Sequence, residues 1–95
     1  MNVLFIHQNF PGQFKFLAPE LARQGHRVVA MSMQEKTPAQ WQGIQMVRYG
    51  AKRGSTPAIH PWVSDLETKV IRGEACFRAA LEMKKQGFVP DVIIA

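Results

Sequence analysis

Cysteine is nearly missing from this sequence: Cys76 stands alone. No internal disulfide can form, and the usage fits a reducing compartment. Long apolar runs are missing too, since none approaches the roughly 20 residues that span a bilayer. The first apolar run, Val3 to Ile6, follows Met1-Asn2 without a basic stretch, so a secretion signal is not expected. No G-x-G-x-x-G occurs, which argues against a nicotinamide or flavin site. The three histidines lack metal-ligand spacing and no Cys/His cluster exists, so no metal or other cofactor is expected. Acidic residues are few, 7 against 12 basic ones, for a net charge of +5. The cations are scattered, with short clusters at Lys52-Arg53 and Lys84-Lys85. Without a dense basic stripe and interleaved aromatics, nucleic acid is not an expected partner. A scattered excess is ordinarily solvated surface; anionic ligands and membrane lipid are the functional alternatives.

What remains is an ordinary globular composition. Residues AVILMFWYC make up 46% of the 95 residues, which argues against disorder. The length allows one small domain that buries roughly two-thirds of its unfolded surface.

Residues 3–7 read as a strand buried on both faces of a parallel sheet. Asn9-Phe10-Pro11-Gly12 breaks the chain with turn chemistry. Phe14, Leu17, Ala18, Leu21 and Ala22 then recur at helical spacing, and Gly25 sits where a C-terminal cap glycine belongs. Pro19 removes a backbone donor and crowds the carbonyl of Lys15. Either the helix kinks there or its regular part begins near Ala18, and an irregular first turn is expected. Arg27 to Met33 holds a second buried strand. Gln34 to Gly43 reads as a polar connecting loop, Ile44 to Tyr49 as a third strand, and Gly50 to Pro57 as a mobile loop.

A long helix is expected over Pro61 to Gln86. Val63, Leu66, Val70, Phe77 and Leu81 fall within an arc of about 100°. Gly73 and Ala80 share that stripe and would let the helix lie close on the sheet. Pro61 suits a first helical position, and Ser64-Asp65-Leu66-Glu67 offers an alternative capping-box start. Gly87 ends the helix, and Val92 to Ala95 form a fourth strand. The β-α-β-β-α-β order predicts a Rossmann-like, mainly parallel open α/β sheet with helices on both faces. The sequence ends in or just after a strand, before the loop that would follow it. Ligands in such sheets bind outside the carboxyl ends of the strands. The chain is therefore expected to be a piece of something larger.

His7, Gln8, Asn9 and Gly12 occupy the first strand-to-helix turn, at that ligand edge. Gly12 permits close backbone approach, and the helix start behind it offers free N–H groups to an anion. The turn is either a contact to phosphate or sugar hydroxyls, or a tight turn whose polar groups satisfy each other. His60, between the loop and the long helix, is either a ligand contact or a piece of helix-start structure. His26 follows a helix end at the opposite edge and reads as structural. Cys76 reads as an inert thiol, and the seven carboxylates show no catalytic pairing.

These residues resemble a known family. The run VLFIHQNFPGQFKFLAPELARQGHRVVAM is similar to the start of bacterial group 1 (family 4) glycosyltransferases. The shared features are His7 to Gln13, Leu17-Ala18-Pro19 and Gly25-His26-Arg27-Val28. They continue with His60-Pro61 opening a long helix through Arg72-Gly73, and Phe88-x-Pro90-Asp91-Val92-Ile93 leading into a strand. The His-Gln-Asn-Phe-Pro-Gly run is far more specific than Gly-His-x-Val.

The resemblance implies the N-terminal part of a GT-B enzyme, two Rossmann-like domains facing across a cleft. A C-terminal domain of the same protein would hold most of the nucleotide-sugar donor. This part would mainly shape the pocket for a glycan or lipid-linked acceptor, its first turn facing the donor diphosphate. The implied enzyme retains anomeric configuration, needs no metal, and serves bacterial polysaccharide biosynthesis. Helix N-termini and cationic side chains would stabilise the leaving diphosphate. No catalytic residue is assigned; His7, Gln8, Asn9, Gly12 and His60 are expected only to face the cleft. The 95 residues alone are expected to be inactive, prone to self-association, cytoplasmic, and open to peripheral contact with the inner face of the membrane. The competing reading is a stand-alone α/β module that binds an anionic small molecule without catalysis. A flavodoxin-like or receiver-like signalling domain fits less well; the receiver version needs acidic residues where His7-Gln8-Asn9 stands.

Overall fold

A computed structural model describes residues 1–50 and 54–95. The element order is β1 (Asn2–Ile6), α1 (Leu17–Arg23), β2 (Arg27–Ser32), β3 (Gln40–Trp41), β4 (Ile44–Arg48), α2 (Pro61–Lys85) and β5 (Val92–Ile94). One five-stranded sheet runs in the order β3-β4-β2-β1-β5. β1, β2, β4 and β5 are parallel, with Leu4 opposite Val29 on one side and Ile93 on the other. This is the expected Rossmann-like open sheet, and it has one element more than the sequence suggested. The polar stretch Gln34 to Gly43 ends in a hairpin, where β3 pairs antiparallel with β4 and Trp41 faces Ile44. Gln42 and Gly43 both have positive φ, 48° and 81°. Two positive φ angles make the two-residue turn that suits the twist of a hairpin. Part of the loop expected from Gly50 to Pro57 (residues 51–53) lies outside the described residues.

The sheet is covered on both faces. On one, Val3, Phe5, Val28, Ala30 and Ile44 pack with Phe10, Phe14 and Ala18. Leu21 and Ala22 of α1 close over them. On the other, Leu4, Val29 and Met31 meet Met83 and Phe88, with Ala75, Cys76 and Ala79 of α2 alongside.

The first turn is irregular, as Pro19 required. A short 3-10 turn over Gly12–Phe14 precedes α1, which becomes regular at Leu17. Pro19 is then the third helical residue, where the missing N–H has no intrahelical acceptor to lose. The break also takes Leu17 out of the buried stripe and leaves it exposed. Both helices end in the same paired hydrogen bonds. His26 N–H donates to Leu21 and Gly25 N–H to Ala22; Phe88 N–H donates to Met83 and Gly87 N–H to Lys84. That Schellman pattern needs a left-handed residue, supplied by Gly25 (φ 93°) and Gly87 (φ 95°).

α2 departs from expectation in one respect. The stripe of Val63, Leu66, Val70, Phe77 and Leu81 does not face the sheet. Its residues are exposed, from 43% at Leu81 to 62% at Leu66. The sheet instead receives Ala75, Cys76, Ala79, Ala80 and Met83, so of the two small residues expected to let the helix lie close, Ala80 meets the sheet and Gly73 stays exposed. Small side chains on that side let the helix settle without its largest apolar groups. β5 is held to β1 at its entry, where Asn2 N–H donates to Asp91 Oδ2 and Asp91 N–H to the Asn2 carbonyl.

Candidate functional site

Sheet order places the site. The chain leaves β1 through α1 to β2 on one side, and reaches β5 on the other side of β1 through α2 on the opposite face. The carboxyl ends of β1 and β5 therefore flank the switch point of an open α/β sheet, where ligands sit. The turn from His7 to Gly12 lies there.

The turn is tightly built. His7 N–H donates to the Met31 carbonyl (3.1 Å), extending the β1–β2 pairing by one residue. The Asn9 N–H donates to His7 Nδ1 at 3.1 Å. Nδ1 is thus the acceptor, which leaves the proton of the neutral ring on Nε2. The imidazole lies edge-on to Phe14, ring centres 6.0 Å apart. Gly12 closes the other side. A Cβ there would come within 2.7 Å of His7 Cε1, and the backbone has φ 46°. Gly12 is thus required both by conformation and by the ring it touches. Phe10 is joined to Pro11 by a cis peptide and is buried against Phe5 and Trp41.

β2 and α2 complete the edge. Fully buried Ser32 donates from Oγ to the Gln8 carbonyl (3.2 Å) and accepts from Gln34 N–H (3.2 Å). Arg72 of α2 reaches Gln8 Oε1 at 3.4 Å. It also lies near Tyr49, whose hydroxyl burial pushes up most, with the neighbouring Cys76 adding to the rise and Arg72 opposing it. Burial raises the Cys76 thiol as well. A thiol held above its ordinary range is a poor nucleophile at neutral pH, in keeping with an inert cysteine.

His7, Gln8, Asn9 and Gly12 are therefore one unit. Part of their polarity is spent internally; among the described residues His7 Nε2–H has no hydrogen-bond partner, and the Arg72 guanidinium keeps donors beyond the one it gives to Gln8. His60 is elsewhere. It caps α2, accepting from Trp62 N–H at Nδ1 (3.2 Å), with its ring against Trp62. Between Pro61 and Arg72 run about 16 Å of helix. No residue from Pro61 to Val70 is buried, so this part of α2 overhangs the carboxyl edge of the sheet. Among the described residues, the side-chain contacts of His60 belong to the helix start.

Two contributors escaped the sequence reading. Ser32 sits in an apolar strand, where nothing in composition marks it. Arg72 is one of several cations on α2, and only its height on the helix sets it apart. No group of three or more His, Cys, Asp or Glu side chains among the described residues could hold a metal ion. No helix of the structure is long and apolar enough to cross a membrane.

Comparison with known proteins adds one finding. A model of the glycosyl transferase family 4 group matches residues 24–95, more than half of the chain. The match begins at Gln24, so it takes in His60 and Arg72 and leaves the His7–Gly12 turn ahead of it. No curated protein and no solved structure matches the chain.

Proposed function

Because the chain belongs to the glycosyl transferase family 4 group, we propose that it forms the N-terminal, mainly acceptor-side part of a retaining glycosyltransferase of GT-B architecture. The reaction moves a hexosyl group from a nucleotide-sugar donor to a glycan or lipid-linked acceptor in bacterial polysaccharide synthesis, at the cytoplasmic face of the membrane. The donor is held mainly by a second, C-terminal domain. The observation that carries this reading is the pair of donors, His7 Nε2–H and the Arg72 guanidinium, beside the switch point. Both point to negative charge, and no carboxylate occurs between Met1 and Pro19. As the glycosidic bond to the donor breaks, charge develops on the leaving diphosphate. Fixed donors aimed there lower the barrier without reorganising. Gln8 orients Arg72, Asn9 fixes the tautomer of His7, and Gly12 gives the ring its place. The overhanging half of α2, from Pro61 to Val70, forms one wall of the acceptor cleft, with His60 at its tip.

The net charge of +5 supports a second reading, a stand-alone module for a small anion. Titration calorimetry of the 95-residue chain with nucleotide sugars, inorganic phosphate and anionic lipid vesicles separates the two. The glycosyltransferase reading expects no measurable donor binding by this chain alone. Micromolar binding of a nucleotide sugar, abolished in His7→Ala, supports the module instead.

A further inference from the structure

A cavity of about 200 Å³ lies on the α1 face of the sheet, beside the first turn. Phe10 and Pro11 line it from the turn after β1, and Gln34, Thr37, Pro38 and Trp41 from the segment after β2. Both segments leave the carboxyl ends of parallel strands. Hydrogen bonds tie the two together: Gln34 N–H donates to Ser32 Oγ, which donates to the Gln8 carbonyl, both at 3.2 Å. The lining joins apolar surface to a few polar groups. Buried Phe10 stands perpendicular to the half-buried Trp41, ring centres 5.8 Å apart. Pro11 and Pro38 add rigid apolar rings. Among the described residues, the Gln34 side-chain amide and the Trp41 indole N–H make no hydrogen bond. Thr37 Oγ1 donates to the Gln34 carbonyl and keeps its lone pairs. No lining side chain carries a charge.

We propose that this cavity holds one uncharged sugar ring of the acceptor, stacked on Trp41 and hydrogen-bonded by Gln34 and Thr37. The assignment rests on the glycosyltransferase reading and adds the chemical class of an acceptor unit. Size, charge and polarity select this occupant. The volume equals the liquid share of about seven waters, room for a single pyranose ring and too little for a nucleotide or an acyl chain. An uncharged lining offers nothing to balance a phosphate or a carboxylate, which belong instead beside His7 and Arg72. A pyranose has apolar C–H faces and a rim of hydroxyls. Trp41 and the two prolines match the faces; the Gln34 amide, the Thr37 hydroxyl and the indole N–H match the rim. A purely apolar group would strip water from those polar groups and return no hydrogen bond. The backbone beside Trp41 supplies an independent argument. Gln42, the next residue, has φ 48°, left-handed for a residue other than glycine. Such positions persist where the surrounding structure holds them, and they collect at ligand clamps.

Proton–nitrogen NMR of the 95-residue chain tests this through its two indole N–H signals. Trp41 lines the cavity, and Trp62, 83% exposed on α2, is the internal control. Trp41→Phe assigns the signals. The ligands are the methyl glycosides of glucose, galactose and mannose, with inorganic phosphate and butanol as anionic and apolar comparators. At least one glycoside is expected to shift the Trp41 signal saturably in the millimolar range and to leave Trp62 in place. Phosphate is expected to leave Trp41 unmoved, and butanol to bind at least several-fold more weakly than the best glycoside. Gln34→Ala and Pro38→Ala, both at exposed positions, are each expected to weaken glycoside binding several-fold with unchanged circular dichroism. The proposal is overturned if no glycoside shifts Trp41 near molar concentration, or if Trp62 shifts equally. Butanol binding as tightly as the best glycoside, indifferent to Gln34→Ala, also overturns it and makes the cavity a site for an apolar group. None of these failures touches the glycosyltransferase reading, which falls to nucleotide-sugar binding through His7, a residue outside the cavity.

Discussion

α1 and α2 both carry apolar residues at helical spacing, and the sheet treats them in opposite ways. Around α1 the stripe turns inward. Phe14 and Ala18 are buried and Leu21 and Ala22 pack against the core. On α2 the larger stripe turns outward, and the sheet is met by alanines, Cys76 and Met83. Periodicity finds a face; it does not say which surface covers it. α1 is seven residues long, with short connections at both ends, so it has one way to lie on the sheet. α2 is 25 residues long and crosses from β4 to β5 over two strands. Its small-residue side comes nearest the sheet, and its large residues are left exposed.

Truncating a phenylalanine on each helix's stripe exposes the difference most strongly. Phe14→Ala removes a ring packed on Phe5 at 5.1 Å between centres. The expected loss is about 3–5 kcal/mol, enough to unfold most of a marginally stable small domain. Phe77→Ala, on the exposed stripe, is expected to change monomer stability by no more than about 0.5 kcal/mol. Urea melts at micromolar concentration measure both, and equal losses would mean that α2 buries Phe77 in solution.

The two glycines give the next contrast. Gly12→Ala forces a side chain into left-handed backbone and against His7, and is expected to cost at least about 1 kcal/mol. Gly73→Ala, with open space around its Cβ, is expected to gain about 1 kcal/mol in the monomer. A loss at Gly73 would show that it packs against something within the chain.

The smallest expected effect is on the α2 side of the sheet and depends on pH. Burial raises Cys76 and Tyr49 above their ordinary values of 9.0 and 10.0. A raised acid holds its proton longer in the folded chain than in the unfolded one. Its contribution is complete below the unfolded value and is lost as pH rises through the folded value. The urea midpoint is therefore expected to fall above about pH 9. Cys76→Ala should delay that fall, and an unchanged onset would mean that the thiol is solvated.

Much of this molecule is written in short stretches. The buried strands Val3 to Ile6 and Val28 to Met31 are legible because a strand covered on both faces is apolar throughout. Gly25 and Gly87 mark helix ends because only glycine takes the left-handed cap without strain. The His7–Gly12 turn is legible as one unit because it is local, each group bonding within a few residues. The hairpin at Gln42-Gly43 is harder to see, since its strand is two residues long and its turn lacks the usual Asn-Gly or Asp-Gly.

Other features depend on residues distant in sequence. Ser32 joins the site because parallel pairing brings the end of β2 beside Gln8. Arg72 joins it because α2 crosses the sheet at that height, 64 positions away in the chain. The sequence by itself determined the α/β order, the helix ends and the first turn, because each rests on backbone geometry that neighbouring residues control. Only the tertiary structure decided which side of α2 meets the sheet. That choice balances one whole helix face against another, and the sheet accepted the side that let the backbones approach most closely.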